Sequence, residues 1–238
     1  MKKTAHPPAK LLVLVTMILI LVTGCKKTDE PETVTDNDGN EYNTVKIGDQ
    51  VWMKENLKTK TLNDGTAVPL VTGYTEWFSL TTPGYCWYDN NEATYKNPYG
   101  ALYNWYAVET GKLCPSGWHV PTDNDWQQLV LFIDPNAGIG FVESDLTGAK
   151  LKEKGTAHWL SPNQGASDDH GFAALPGGCR LSYLDLDYNS IREFGFWWSS
   201  TESSVIKAWM VDMGYTYADL YRYASHKVDG FSVRCVKN

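Results

Sequence analysis

Apolar and polar residues alternate in short runs from residue 33 to about 70, where "TVTDNDGNEYNTVKIGDQVWMKENL" is punctuated by Asp38-Gly39 and Gly48-Asp49, and "NDG" follows at 63–65. Turn dipeptides between alternating segments predict β-hairpins. The period then changes to that of a helix. Asn97 is placed to cap one, Pro98 suits its first turn, Tyr99, Leu102, Tyr103 and Tyr106 share a face, and Gly111 follows its end. A second helix is predicted at "PTDNDWQQLVLFI", with Thr122 as cap, Asp123 and Asp125 at the positive helix end, and Trp126, Leu129, Val130 and Ile133 as an apolar stripe. A weaker third covers about 143–153. Next comes "KGTAHWLSPNQGASDDHGFAALPGG", a loop long enough to be functional or braced by its own side chains. Alternation returns at 194–200, 205–213, 215–223 and 230–236. Short helices, a loop and then antiparallel strands predict an α+β domain closed by its C-terminal sheet.

Two of those strands carry unusual faces. In "EFGFWWSSTES" (193–203), Phe194, Phe196 and Trp198 fall on one face, while Gly195, Trp197 and Ser199 fall on the other. Trp198 is expected in the core, and Trp197 needs another cover, either the loop at 155–178 or a ligand. In "YTYADLYRY", Tyr215, Tyr217, Asp219, Tyr221 and Tyr223 share one parity. Tyrosine offers flat apolar area plus a hydroxyl at low entropic cost, which suits recognition as well as cross-strand packing. Trp197 with these tyrosines and Asp219 is the candidate ligand-binding set.

The first residues set the compartment. Lys2, Lys3 and Lys10 precede or flank the apolar run "LLVLVTMILILV" at 11–22, the layout of a secretory signal peptide whose apolar part is short for a membrane span. "VTGC" at 22–25 resembles a bacterial lipobox, which makes residues 1–24 the leader and Cys25 the lipidated first residue of the mature chain. Polar residues 25–33 then read as a flexible tether. Lys26 followed by acidic residues resembles the surface-export signal of Bacteroidetes lipoproteins, so outer-membrane anchoring with display at the cell surface is expected.

Loss of the leader leaves 18 basic against 28 acidic residues, a net charge of -10, which argues against a nucleic-acid partner. Four cysteines remain beyond Cys25: Cys86, Cys114, Cys179 and Cys235. In an oxidising compartment they imply two disulfides, with three pairings open. Their spacing is not that of a metal site, and "DNDGN" at 36–40 starts like a calcium loop but lacks the later ligands and reads as a turn, so no metal or other cofactor is expected. Nor is there a Gly-x-Ser-x-Gly elbow, a His-Glu-x-x-His helix or a phosphate-binding glycine loop. Ser167, Asp168, Asp169 and His170 are adjacent in sequence, whereas catalytic groups normally converge from separate elements. They read as a loop-bracing cluster, and an enzyme is not expected.

The blocks "TVKIGDQVWMKENLKTKTLNDGTAVPLV", "YCWYDNNEATYKNPYGALYNWYAVETGKLCPSGWHVPTDNDWQQL" and "GFAALPGGCRL…FGFWWSSTES…GFSVRCVK" together resemble the Fibrobacter succinogenes major paralogous domain over residues 34–238. That family occurs in bacterial lipoproteins and secreted proteins and implies little mechanism. More distantly, "CPSGWHVPT" leading into a helix, a long loop, "WWSST" and the closing "GFSVRCV" are similar to the element order of C-type lectin-like domains and of the formylglycine-generating-enzyme group. The resemblance implies a lectin-like core at 83–238 preceded by a hairpin extension at 34–82. It also implies a last strand beside Trp118, pairing Cys114 with Cys235 and leaving Cys86 for Cys179. The calcium-binding Glu-Pro-Asn and Trp-Asn-Asp tripeptides of sugar-binding lectins are absent, "DLDYNS" at 185–190 lacks the calcium-loop Gly and Glu, and the paired reactive cysteines of the enzyme group have no counterpart. The expected function is a non-catalytic surface module that binds glycans or a surface partner. The alternative is a structural protein of envelope assembly with protein partners.

Overall fold

The structure is a computed structural model that describes residues 1–2, 32–138, 143–182 and 187–238. Residues 3–24 of the expected leader, Cys25 and most of the tether lie outside these residues, as does the start of "DLDYNS". No helix among the described residues is long and apolar enough to cross a membrane.

Residues Pro31–Asn238 form one compact unit of mixed α+β character. In chain order it contains β1 (Thr33–Thr35), β2 (Glu41–Ile47), β3 (Gln50–Met53), α1 (Tyr74–Phe78), β4 (Tyr85–Cys86), a 3₁₀ turn at Tyr88–Asn90, α2 (Glu92–Tyr99), β5 (Leu102–Tyr103) and α3 (Trp105–Glu109). There follow β6 (Trp118–His119), α4 (Asp123–Ile133), α5 (Thr147–Leu151), β7 (Gly177–Arg180), β8 (Tyr188–Ile191), β9 (Phe194–Ser204), β10 (Lys207–Gly214), β11 (Tyr221–His226) and β12 (Val236–Lys237). One sheet has the order β1-β2-β3-β12-β6, a second β11-β10-β9-β7-β8, and β4 with β5 makes a small ribbon.

The hairpins turn where the sequence places them, with Gly39 and Gly48 at positive φ. Asp36 is spent on the first turn: its carboxylate accepts from the Asp38 and Asn40 amides, Asn40 Nδ2 and Tyr42 Oη. The hairpins are integral to the unit, since Val236 of β12 pairs with both Trp52 of β3 and His119 of β6. That return brings Cys235 to Cys114, and the two form a disulfide. The second expected bridge does not form, and Cys86 and Cys179 are buried thiols. Alternation along β7 explains why: Arg180 turns toward Trp77 on the side where Cys86 packs with Val71 and Leu102, so Cys179 beside it faces the other core, with Trp198 and Phe231.

Helix α4 matches its prediction, including a reciprocal capping box between Thr122 and Asp125. The helix expected from Pro98 to Gly111 is instead two. Asn91 caps α2 and Asn104 caps α3, with β5 between them. Gly100 makes the break: its φ is 77°, and a Cβ there would sit 2.7 Å from the Leu57 carbonyl oxygen. That same carbonyl receives the Ala101 amide, so the chain leaves the helix to dock on the N-terminal segment. The third predicted helix is real but only five residues long.

The irregular run from Lys152 to Pro176 is held by buried donors. Lys152 Nζ donates to the carbonyls of Gln164 (3.1 Å), Gly214 (2.7 Å) and Tyr217 (2.6 Å). Arg234 donates to the carbonyls of Phe172 and Ala173 and to Asn56 Oδ1, with its guanidinium 4.3 Å from the Phe172 ring centre. Such carbonyls would otherwise be stranded, because a loop has no ladder to receive them.

Candidate functional site

β10 is the central strand of a three-strand surface, and its register assigns every side chain to a face. On one face Phe196, Asp212 and Tyr221 stand in a row across β9, β10 and β11, and Trp198, Met210 and Tyr223 form the next row. On the other face Trp197, Val211 and Arg222 are in line. Both tryptophans are fully buried. Trp198 donates to the Tyr103 carbonyl (2.8 Å) and packs on Phe231, with ring centres 4.6 Å apart. Trp197 donates to Asn56 Oδ1 (2.8 Å) within the core that holds Trp159 and Phe172 of the long loop. Trp197 therefore drops out of the ligand-binding set, because it is fully buried in a core to which the loop contributes Trp159 and Phe172.

The strand expected at 215–223 begins only at Tyr221, so the single-parity ladder does not exist. Residues 215–220 fold back instead, held by Lys152 on the Tyr217 carbonyl and by the Ala149 amide on the Ala218 carbonyl. Gly214 makes the fold-back possible, since a Cβ at that position would lie 2.5 Å from the Tyr217 ring. Tyr215 consequently packs toward the Trp197 core, and Asp219 lies in the turn beside Tyr221. Tyr217, Tyr221 and Tyr223 do come together, with successive ring centres 5.3 and 6.1 Å apart. Phe194 extends the row: it is 5.9 Å from Tyr217 and stacked on Phe196 at 5.7 Å.

Of these rings, Phe196 and Tyr223 line a groove of about 470 Å³ together with Lys207, Met210, Asp212, Ser225 and His226. Tyr223 is 50% exposed, and Tyr217 and Tyr221 are half-buried. Asp212, only 5% exposed, lies at the floor. It accepts one hydrogen bond, from Tyr217 Oη at 2.6 Å on Oδ1. Burial pushes its carboxyl up to about 6, against the opposing pull of the Tyr217 bond. Burial, followed by the neighbouring Asp212 charge, raises the Tyr217 phenol. Phe194, Phe196 and Asp212 were not among the residues expected to form the site. The signal available for Asp212 was a carboxylate inside the otherwise apolar run "AWMVDMG".

The "SDDH" residues brace the loop. Asp168 accepts from the Ala173 amide, Asp169 pairs with Lys150, and His170 packs on Phe132. No group of three or more potential metal ligands occurs among the described residues.

Among known proteins, no curated protein and no solved structure matches the chain. The Fibrobacter succinogenes major domain does match, over residues 45–237, a span that runs from within β2 into β12 and contains the entire groove, and the chain belongs to that family.

Proposed function

We propose that this protein is a non-catalytic binding module for glycans, lipid-anchored to the outer membrane through Cys25 and displayed at the cell surface, with the aromatic groove over Asp212 as its ligand face. The observation that carries this reading is the set of half-exposed tyrosines around a buried acceptor. Flat rings suit the apolar faces of sugars, phenol and carboxylate oxygens suit their hydroxyls, and concave sites with a few convergent polar groups are typical ligand sites. A C-type lectin-like fold is part of the proposal. It is supported by the order β6, α4, long loop, β9 and a last strand that returns beside β6.

The test is a binding screen of soluble Pro31–Asn238 against polysaccharides and glycoproteins, with and without calcium. A hit that Tyr221→Ala or Tyr223→Ala weakens at least tenfold, in a protein with an unchanged near-ultraviolet spectrum, supports the reading. Retention of full binding by both variants, or a failure to bind any glycan, sinks it and turns the search to envelope protein partners.

A further inference from the structure

Seven charged side chains are buried among the described residues, and six of them are well supplied with partners. Lys152 and Arg234 each meet three acceptors, and Arg180 meets the Val71 and Thr72 carbonyls and Asp187. Lys227 pairs with Glu202 over the Trp105 ring, Asp229 accepts from three donors, and Asp36 from four. Asp212 stands apart: among the described residues it has a single neutral donor, on Oδ1, and no cation within pairing distance. A buried carboxylate with so few donors costs stability, and such a residue on a cleft floor is a candidate ligand contact.

The surroundings fit a cation. Phe196 and Tyr221 flank Asp212 directly in the sheet, and Tyr217 approaches from the turn, so the carboxylate is ringed by aromatic groups whose faces attract positive charge. The other titratable or charged groups around the groove are Tyr223 and His226 of β11, Asp219 of the turn, Lys207 of β10, Glu143 and Asp145 beside Tyr223 and Tyr221, and Cys179 of β7. Lys207 is five positions from Asp212 along the strand, roughly 16 Å at strand rise, and it leaves the acid unneutralised. A neutral sugar hydroxyl would use this carboxylate only as a hydrogen-bond acceptor, as Tyr217 does. A cation gains more, because it meets both the full charge and the aromatic groups around it.

We infer that the groove reads a free amine on its ligand, an amino sugar whose ammonium group sits over the Asp212 carboxylate among Phe196, Tyr217 and Tyr221. This rests on the proposed glycan-binding role of the groove and names its ligand class.

The experiment measures, by calorimetry, binding of glucosamine oligomers and their N-acetylated counterparts to the whole chain. The protein is solubilised in a polyoxyethylene detergent, which carries neither sugar nor charge. At pH 6.5, just above the carboxyl's value of about 6 and low enough for the amino-sugar amine to hold its proton, the free-amine oligomer is expected to bind at least tenfold more tightly, Asp212→Asn to erase that preference, and Tyr223→Ala to weaken both ligands. The preference should also fade as pH falls below about 6, where the carboxyl takes up a proton. Equal binding of the two oligomers, both sensitive to Tyr223→Ala, overturns the amine assignment and leaves the glycan groove standing. Binding that neither variant affects, or no binding at all, overturns both. A lysine peptide that binds Asp212-dependently as tightly as the oligomer overturns the amino-sugar assignment. Asp212→Asn removes a buried unpaired charge, so loss of fold does not confound it.

Discussion

The two faces of the C-terminal sheet solve the problem of a buried charge in opposite ways. Behind the sheet, Arg234 donates to three acceptors through its two terminal nitrogens while Nε stays unpartnered, and its guanidinium ties Phe172 and Ala173 of the loop to Asn56 of the N-terminal segment. In front, Asp212 has one phenol partner and opens to a groove. The segment leading into β12 thus places a fastening charge behind the sheet, whereas β10 itself carries the sparsely partnered charge in front. Partner number, and not burial, separates the two roles, because a charged group with its acceptors in place has no further use for a ligand.

The sharpest way to break this comparison is to remove each charge in turn. Arg234→Met should destabilise the protein by about 3–5 kcal/mol in chemical denaturation, since it strands several buried acceptors that cost about 1–3 kcal/mol apiece. A loss below 1 kcal/mol would mean that the guanidinium does not fasten the loop. Opening the Cys114–Cys235 bridge, which closes a long loop, should come next at about 2–4 kcal/mol, read as the shift in denaturation midpoint of the double Ala variant.

Asp212→Asn should act in the other direction. The folded carboxyl is raised from 3.8 to about 6, so the folded state holds its proton more tightly than the unfolded chain. Its contribution is therefore fully favourable below pH 3.8 and is lost as pH rises through about 6, which leaves a penalty at neutral pH. The Asn variant should be more stable than the parent by about 1–3 kcal/mol at pH 7.5, at 1.36 kcal/mol per pH unit. It should also lose the pH dependence between 4 and 6.5. A variant less stable than the parent at pH 7.5 would show that Tyr217 satisfies the carboxylate fully.

The smallest effect is expected at His119. It meets Asp125 at 3.1 Å and Asn238 at 2.7 Å, and the Asp125 hydrogen bond raises its pKa. Its contribution is complete below the ordinary value of 6.5 and fades as pH rises through the folded value. Because the pair is partly exposed, His119→Gln should cost only about 0.5 kcal/mol at pH 6 and less at pH 8.

Local chemistry was enough for some elements. The α4 cap, stripe and first-turn acids act within a few residues of one another, so Thr122 to Ile133 reads as a helix from sequence alone. The turns at Gly39 and Gly48 likewise need only their own φ. The run from 97 to 111 has equally good helical spacing and yet splits, because the Leu57 carbonyl, more than forty positions earlier in the chain, takes the Ala101 amide at Gly100. Residues 215–220 alternate like a strand, but the remote Lys152 draws the Tyr217 carbonyl inward and spoils the parity. The Cys86–Cys179 pairing failed for the same kind of reason, since the face on which each thiol lies is set by partners far along the chain.

Sequence by itself determined the α+β class, the hairpin turns, the long helix and membership of the family. Only the tertiary structure decided that Trp197 is core, that Asp212 lies at the floor of the groove, and that two of the four later cysteines stay reduced. The physical reason is range. Propensity, capping and turn chemistry act over a few residues, whereas exposure and the supply of hydrogen-bond partners depend on which distant segments arrive.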